Sequence, residues 1–201
     1  MMFRYNYFLN IDQIQNLTKI KQLKILDFGC GHGVWSQKDI KKKYVRKIIL
    51  YDKSKKFINI LKKKYNQKKI SVNFDFQKIL KKKNYNLVIM SSVIQYINIK
   101  KFKKLIEALS KNKKELIIII ADIPKLPRPF EFILLPFFNL KRFFFVFKMI
   151  FNKDYKKINY YLHKRDQLNF LKKKFDVAYL ENIHDLKHIR YSLILKLKKS
   201  N

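Results

Sequence analysis

Acidic residues are scarce in this chain, 14 against 47 lysines and arginines, and so are residues that punctuate a backbone: three glycines and four prolines in 201 residues. Cysteine occurs once, at Cys30, which excludes an internal disulfide and suits a reducing compartment. No cluster of cysteines and histidines has metal-ligand spacing, so no metal is expected. Met1 to Asn10 lacks the apolar core and small-residue cleavage site of a signal peptide, and a cytoplasmic location is expected. What is present, 48% hydrophobic residues, is enough for a sizeable core, and the length suits one domain over residues 1–201.

Scarcity makes the placement of glycine informative. Gly29, Gly31 and Gly33 fall together in Lys24-Ile-Leu-Asp-Phe-Gly-Cys-Gly-His-Gly-Val-Trp-Ser36, and glycine occurs nowhere else. Such a chain is expected to keep glycine where a Cβ cannot be tolerated, in a left-handed backbone or against a ligand. The apolar stretch from Leu23 reads as a buried strand and a helix is expected over 34–43, which puts a glycine loop where open α/β sheets bind their ligands. The dinucleotide pattern G-x-G-x-x-G needs its third glycine at position 34, where Val34 stands, so a nicotinamide cofactor is not expected. Taken alone, the run could also be a tight strand-to-helix turn with no ligand.

The acids extend the pattern. Asp27, Asp52, Asp75 and Asp122 each end an apolar run, and in a parallel sheet those ends share one edge. Each acid singly could cap the next helix. Jointly, beside the glycine loop, they favour a site.

Ile25-Leu26-Asp27-Phe28-Gly29-Cys30-Gly31-His32-Gly33 resembles the first motif of the class I S-adenosylmethionine-dependent methyltransferases. The resemblance implies S-adenosylmethionine as cofactor and covers nearly the whole chain apart from residues 1–22 and an insertion. It implies that Asp27 orients the loop and the methionine end, that Asp52 takes both ribose hydroxyls, and that Asp75 accepts from the adenine amino group with Phe76 as a wall for the base. A carboxylate suits the ribose because its two oxygens can accept from adjacent hydroxyls. Asn84 to Tyr96 resembles the fourth strand and its exit, placing Ser91, Ser92 and Gln95 near the cofactor. His32 is expected to line the methionine end, while Cys30 reads as a small buried side chain rather than a reactive thiol.

The order of elements agrees. Strands are expected over 23–28, 46–51, 69–74, 85–91 and 115–121, with helices over 34–43, 54–65, 76–82 and 99–112 between them. After the insertion come a helix over 165–174 and two strands, 176–182 and 189–198, joined as a hairpin so that the last runs antiparallel. This is an α/β fold, a Rossmann-like, doubly wound, mostly parallel seven-stranded sheet.

The net charge of +33 suggests nucleic acid. The lysine runs at 41–43, 62–64, 81–83 and 172–174 are nevertheless spread without a single stripe, and the abundance of Lys, Asn, Ile, Phe and Tyr fits AT-rich coding. A nucleic-acid partner stays open and is not favoured. The Asn-Pro-Pro-Tyr type of motif for planar amines is absent, since Ser91-Ser-Val-Ile94 stands at its place.

All four prolines, Pro124, Pro127, Pro129 and Pro136, fall in the insertion, residues 123–160, ahead of the phenylalanine-rich stretch 137–151. Its longest uncharged run, Phe132 to Leu140, is too short for the roughly 20 residues of a bilayer span. Its helical projection suits an interfacial membrane contact, an acceptor-side lid, or plain core packing. The whole reads as a methyltransferase for a small-molecule, sugar or lipid-linked acceptor, with an RNA methyltransferase or a non-catalytic scaffold as rivals. Asp122 and His163 are the candidate catalytic bases.

Overall fold

The computed structural model describes residues 11–33, 41–65, 68–124, 165–181 and 190–198. Most of the helix expected over 34–43, the insertion from 125 onward and His163 lie outside them.

A seven-stranded sheet organises the molecule. Its strands are β1 (Leu23–Phe28), β2 (Val45–Tyr51), β3 (Ile70–Asn73), β4 (Leu87–Ser91), β5 (Ile117–Pro124), β6 (Phe175–Glu181) and β7 (Arg190–Leu197). Their order is β3-β2-β1-β4-β5-β7-β6. Pairing is parallel from β3 through β5, and β7 runs antiparallel to both neighbours. Strands covered on both faces need apolar side chains on both, which is why they read as continuous apolar runs rather than alternating ones.

Two packed layers cover the faces. On one, Leu26, Ile49, Val88, Met90, Ile118 and Ile120 pack with Phe102, Ile106 and Leu109 of helix α4 (Ile99–Ser110). On the other, Ile25, Ile48, Leu50, Leu87 and Ile89 meet Ile14 of α1 (Ile11–Thr18) and Ile58 and Leu61 of α2 (Lys55–Lys64). A short helix, α3 (Phe76–Lys82), begins at its cap Asp75 and ends at Lys83 in the left-handed region, φ 45°. The residues expected as a helix over 165–174 form a 3-10 helix, Arg165–Lys173. Three residues per turn bring Leu168 and Leu171 onto one line, and both are buried.

β5 extends beyond its expected end. Ile123 and Pro124 still pair with Tyr191 and Arg190, across a register shift between Ile120 and Ile123. Asp122 therefore sits on a bulge within the strand rather than beyond its exit, with φ +63°.

Candidate active site

The chain runs outward from β1 to β3 and returns to β4, so the strand order reverses between β1 and β4 and opens a crevice at their carboxyl ends. The glycine loop lies there, stitched to the end of β2. The N–H groups of Gly29 and Cys30 donate to the Tyr51 carbonyl at 2.7 and 3.0 Å, and Gly33 N–H donates to Cys30 O at 2.9 Å. The phenol of Tyr65, just past α2, donates to Gly33 O at 3.1 Å.

All three glycines have positive φ, between 55° and 73°. At Gly29 a Cβ would lie 2.6 Å from Cγ2 of Val93, and at Gly33 2.7 Å from Cδ2 of Leu61. Backbone conformation and packing thus both demand glycine at these two positions. The contact at Gly29 comes from Val93, which leads into a 3-10 turn, Ile94–Tyr96, and so ties the exit of β4 to the loop.

Asp52 closes the arrangement. Its Oδ2 accepts from Gly31 N–H at 3.0 Å and its Oδ1 from Ser54 N–H at 2.8 Å, so one carboxylate clamps the loop and opens α2. An ionised carboxylate has about four lone-pair sites, which leaves both oxygens able to accept from a diol. Asp27, penultimate in β1, is buried, and Cys30 lies between its field and that of Asp52. Burial, then those two charges, push the Cys30 thiol far up, which makes it an inert neutral group. Burial, then Asp52 and Asp75, raise Tyr51 likewise. Asp27, Asp52 and Asp75 are thereby brought along one edge.

Asp75 also caps α3, its Oδ1 accepting from Gln77 and Lys78 N–H at 3.0 and 3.2 Å. Phe76 packs against Phe28 and Tyr51 with ring centroids 5.2 and 5.3 Å apart, a partly buried aromatic floor beside that acid. His32 is exposed and stacks edge-on against Phe57 of α2 at 4.6 Å.

Asp122 stands two strands away from β1. Its carboxylate accepts a short hydrogen bond from Ser92 Oγ, and its N–H approaches Ser192 Oγ at 3.4 Å. Ser92 too has a positive φ, 53°, and its N–H donates to Ala121 O at 3.1 Å. Two left-handed non-glycine residues thus face each other across the ends of β4 and β5, a costly conformation that clusters at functional sites. Ser91 is the half-buried last residue of β4, paired with Ala121. The Ser92–Asp122 link escaped sequence reasoning because only the register and the bulge bring the two together. Gln95, buried at 4%, has no hydrogen-bond partner for its Oε1 among the described residues. His163 lies outside them. No metal-ligating group occurs among them either.

Residues 25–115 match the family model for a methyltransferase domain. That span holds the glycine loop and the acids at β1, β2 and β3. Within that span the chain carries a methyltransferase domain, and the seven-stranded sheet built around it has the class I, S-adenosylmethionine-dependent methyltransferase fold. Solved structures share the fold of this chain. The methyltransferase domain of bacterial CtHen1 superposes with TM-score 0.63 at 15% identity, covering 94% of this chain and 100% of that one. The N-methyltransferase NodS of Bradyrhizobium japonicum, in complex with S-adenosyl-L-homocysteine, gives TM-score 0.58 at 9% identity, covering 94% and 87%. Magnesium protoporphyrin IX methyltransferase of Synechocystis, with the same product bound, gives 0.57 at 19%, covering 94% and 82%. No curated protein sequence matches this chain.

Proposed function

We propose that this methyltransferase holds S-adenosylmethionine over the carboxyl ends of β1 to β3 and methylates a small-molecule, sugar or lipid-linked acceptor presented from the β4–β5 side. The observation that carries the reading is Asp52: its Oδ2 fastens the glycine loop at Gly31 and its Oδ1 holds Ser54 ahead of α2, and each oxygen has a further lone pair with which to accept from the ribose hydroxyls. Asp27 orients the loop beneath the methionine end, and Asp75 with Phe76 flanks the adenine. Ser91 sits at the switch between cofactor and acceptor halves.

The bound cofactor supplies a sulfonium-activated methyl carbon. The protein's own contribution is to align the acceptor in line with that carbon and to exclude water. For an oxygen acceptor a base assists, and Asp122, oriented by the Ser92 hydroxyl, is the candidate on the β5 bulge. His163 remains a second candidate from the sequence. The insertion over 123–160 is proposed as the acceptor-side lid, with 137–151 as its apolar wall or a peripheral membrane contact. Among the described residues no helix is long and apolar enough to cross a membrane.

Calorimetry with S-adenosylhomocysteine tests the reading. Asp52→Ala and Gly31→Val are expected to weaken binding at least about tenfold, since the first removes the hydrogen-bonding carboxylate and the second puts a β-branched residue where the backbone is left-handed, φ 55°, while thermal melting shows the fold retained. If the wild-type protein takes up neither S-adenosylmethionine nor its product, the reading is wrong.

A further inference from the structure

The other edge of the sheet carries a different chemistry. At the amino-terminal ends of β1, β2 and β3 a cleft of about 570 Å³ is lined by nine residues, six of them cations: Lys24, Lys43, Arg46, Lys47, Lys68 and Lys69. Among the described residues no carboxylate lines it. These cations lie up to 45 positions apart in sequence, between Lys24 and Lys69, yet parallel pairing gathers them, with Leu23 beside Val45 and Ile48 beside Ile70. Neighbouring strands are about 4.8 Å apart, so cations on or just before three of them start from backbones within about 10 Å of one another across the sheet, close enough for one ligand to touch several.

We propose that this cleft is a binding site for clustered phosphate groups, distinct from the cofactor crevice at the opposite edge. Like charges held this close repel unless a polyanion neutralises them, and phosphate oxygens accept from lysine and arginine in charge-assisted bonds. The framework is rigid, because Asn86 bridges two strands beside it: Oδ1 accepts from Lys24 N–H at 2.8 Å and Nδ2 donates to Gln22 O at 2.9 Å. The positive field reaches further, since Lys24 and Lys83 both help lower the pKa of Lys113.

The shape and lining choose among anions. A lipid surface is flat and is held by apolar anchors as well as charge. Here the surface is concave, and the large hydrophobic side chains that the described residues expose, Ile60, Phe74 and Tyr96, are not part of the lining. Among the described residues no aromatic ring lines the cleft for bases to stack on, which favours recognition of the phosphates themselves. A small oligophosphate and the backbone of a single-stranded nucleic acid present the same groups.

Full-length protein is titrated with inorganic tripolyphosphate, with a short single-stranded RNA, and with vesicles of phosphatidylglycerol and phosphatidylcholine. The triple variant Lys24→Gln, Arg46→Gln, Lys69→Gln is compared with Lys100→Gln, Lys103→Gln, Lys104→Gln on the exposed face of α4, which removes the same charge elsewhere. Tripolyphosphate or RNA is expected to bind the wild type and to lose about tenfold more affinity in the cleft variant than in the control, because only the former removes direct partners. Binding of tripolyphosphate alone identifies a small oligophosphate; RNA binding that tripolyphosphate displaces identifies a nucleic-acid backbone. Equal losses in the two variants, no binding of either probe, or binding of vesicles alone would overturn the proposal. Should the cleft variant not fold, Arg46→Gln and Lys69→Gln singly, both exposed, are each expected to weaken binding about threefold, and unchanged affinity in both refutes the site.

Discussion

Lys113 shows what a surface this basic does to its own members. Its ammonium donates to the carbonyls of Lys83 and Tyr85 and lies 3.9 Å from the Tyr85 ring centroid. Those contacts favour the charged form, but burial, then Lys83 and Lys24, outweigh them and push its pKa from the ordinary 10.5 down to about 8. Between pH 8 and 10.5 the unfolded chain therefore binds more protons than the folded one, so the stability that Lys113 costs at neutral pH is recovered as the pH rises through this window. A side-chain amine titration by NMR is expected to find the Lys113 midpoint near 8, moving upward in Lys83→Gln. A midpoint left at the ordinary value would contradict it. At this scale the sequence was a partial guide. Asp52 could be picked from its distance to the glycines, but its use as a clamp on Gly31 could not, because that depends on the loop folding back over β2. Asp75 meets the expectation that strand-end acids cap helices, and the same carboxylate lies beside the aromatic floor at Phe76.

The elements were legible wherever both faces of a strand are buried. Leu87 to Met90 and Ile117 to Ile120 are apolar throughout because helices cover them on either side, and their strands appear within two residues of expectation at their starts. Positions set by contacts between elements were not legible: the bulge at Asp122, the 3-10 turn holding Leu168 and Leu171, and Val93 over Gly29. The last of these is testable. Gly29→Ala forces a left-handed alanine, costing about 1–2 kcal/mol, and drives a Cβ into Val93 at 2.6 Å. Denaturant unfolding should show a loss of about 3 kcal/mol in Gly29→Ala, summing backbone strain and overpacking. In the background of Val93→Ala the same change should cost only the backbone part, about 1–2 kcal/mol. Equal costs in both backgrounds would show that Val93 does not constrain the loop.

The two edges of the sheet differ in charge, and the parallel strands between them are the reason. A parallel sheet sends every strand start to one edge and every strand end to the other; this chain places its scarce acids Asp27, Asp52 and Asp75 at the ends and lysines at the starts. Sequence alone could single out the ends, where the acids are few enough to stand out. It could not assign the starts, where lysine is too common for any one to be noticed. With a net charge of +33, the folded chain repels itself, and it does so over roughly 30 Å at 0.01 M salt but only about 8 Å at 0.15 M. Thermal melting in sodium chloride should therefore rise by several degrees over that range and then flatten, with chloride acting by screening alone. S-adenosylhomocysteine at about 100 times its dissociation constant should add about 2.7 kcal/mol on top by mass action. If Asp52 and the glycine loop hold the cofactor as proposed, through hydrogen bonds at the edge opposite the cationic cleft, the two increments should be independent, adding within about 0.5 kcal/mol. A cofactor increment that shrinks steeply as salt rises would mean that the lysine field reaches across the strands and governs the cofactor edge as well.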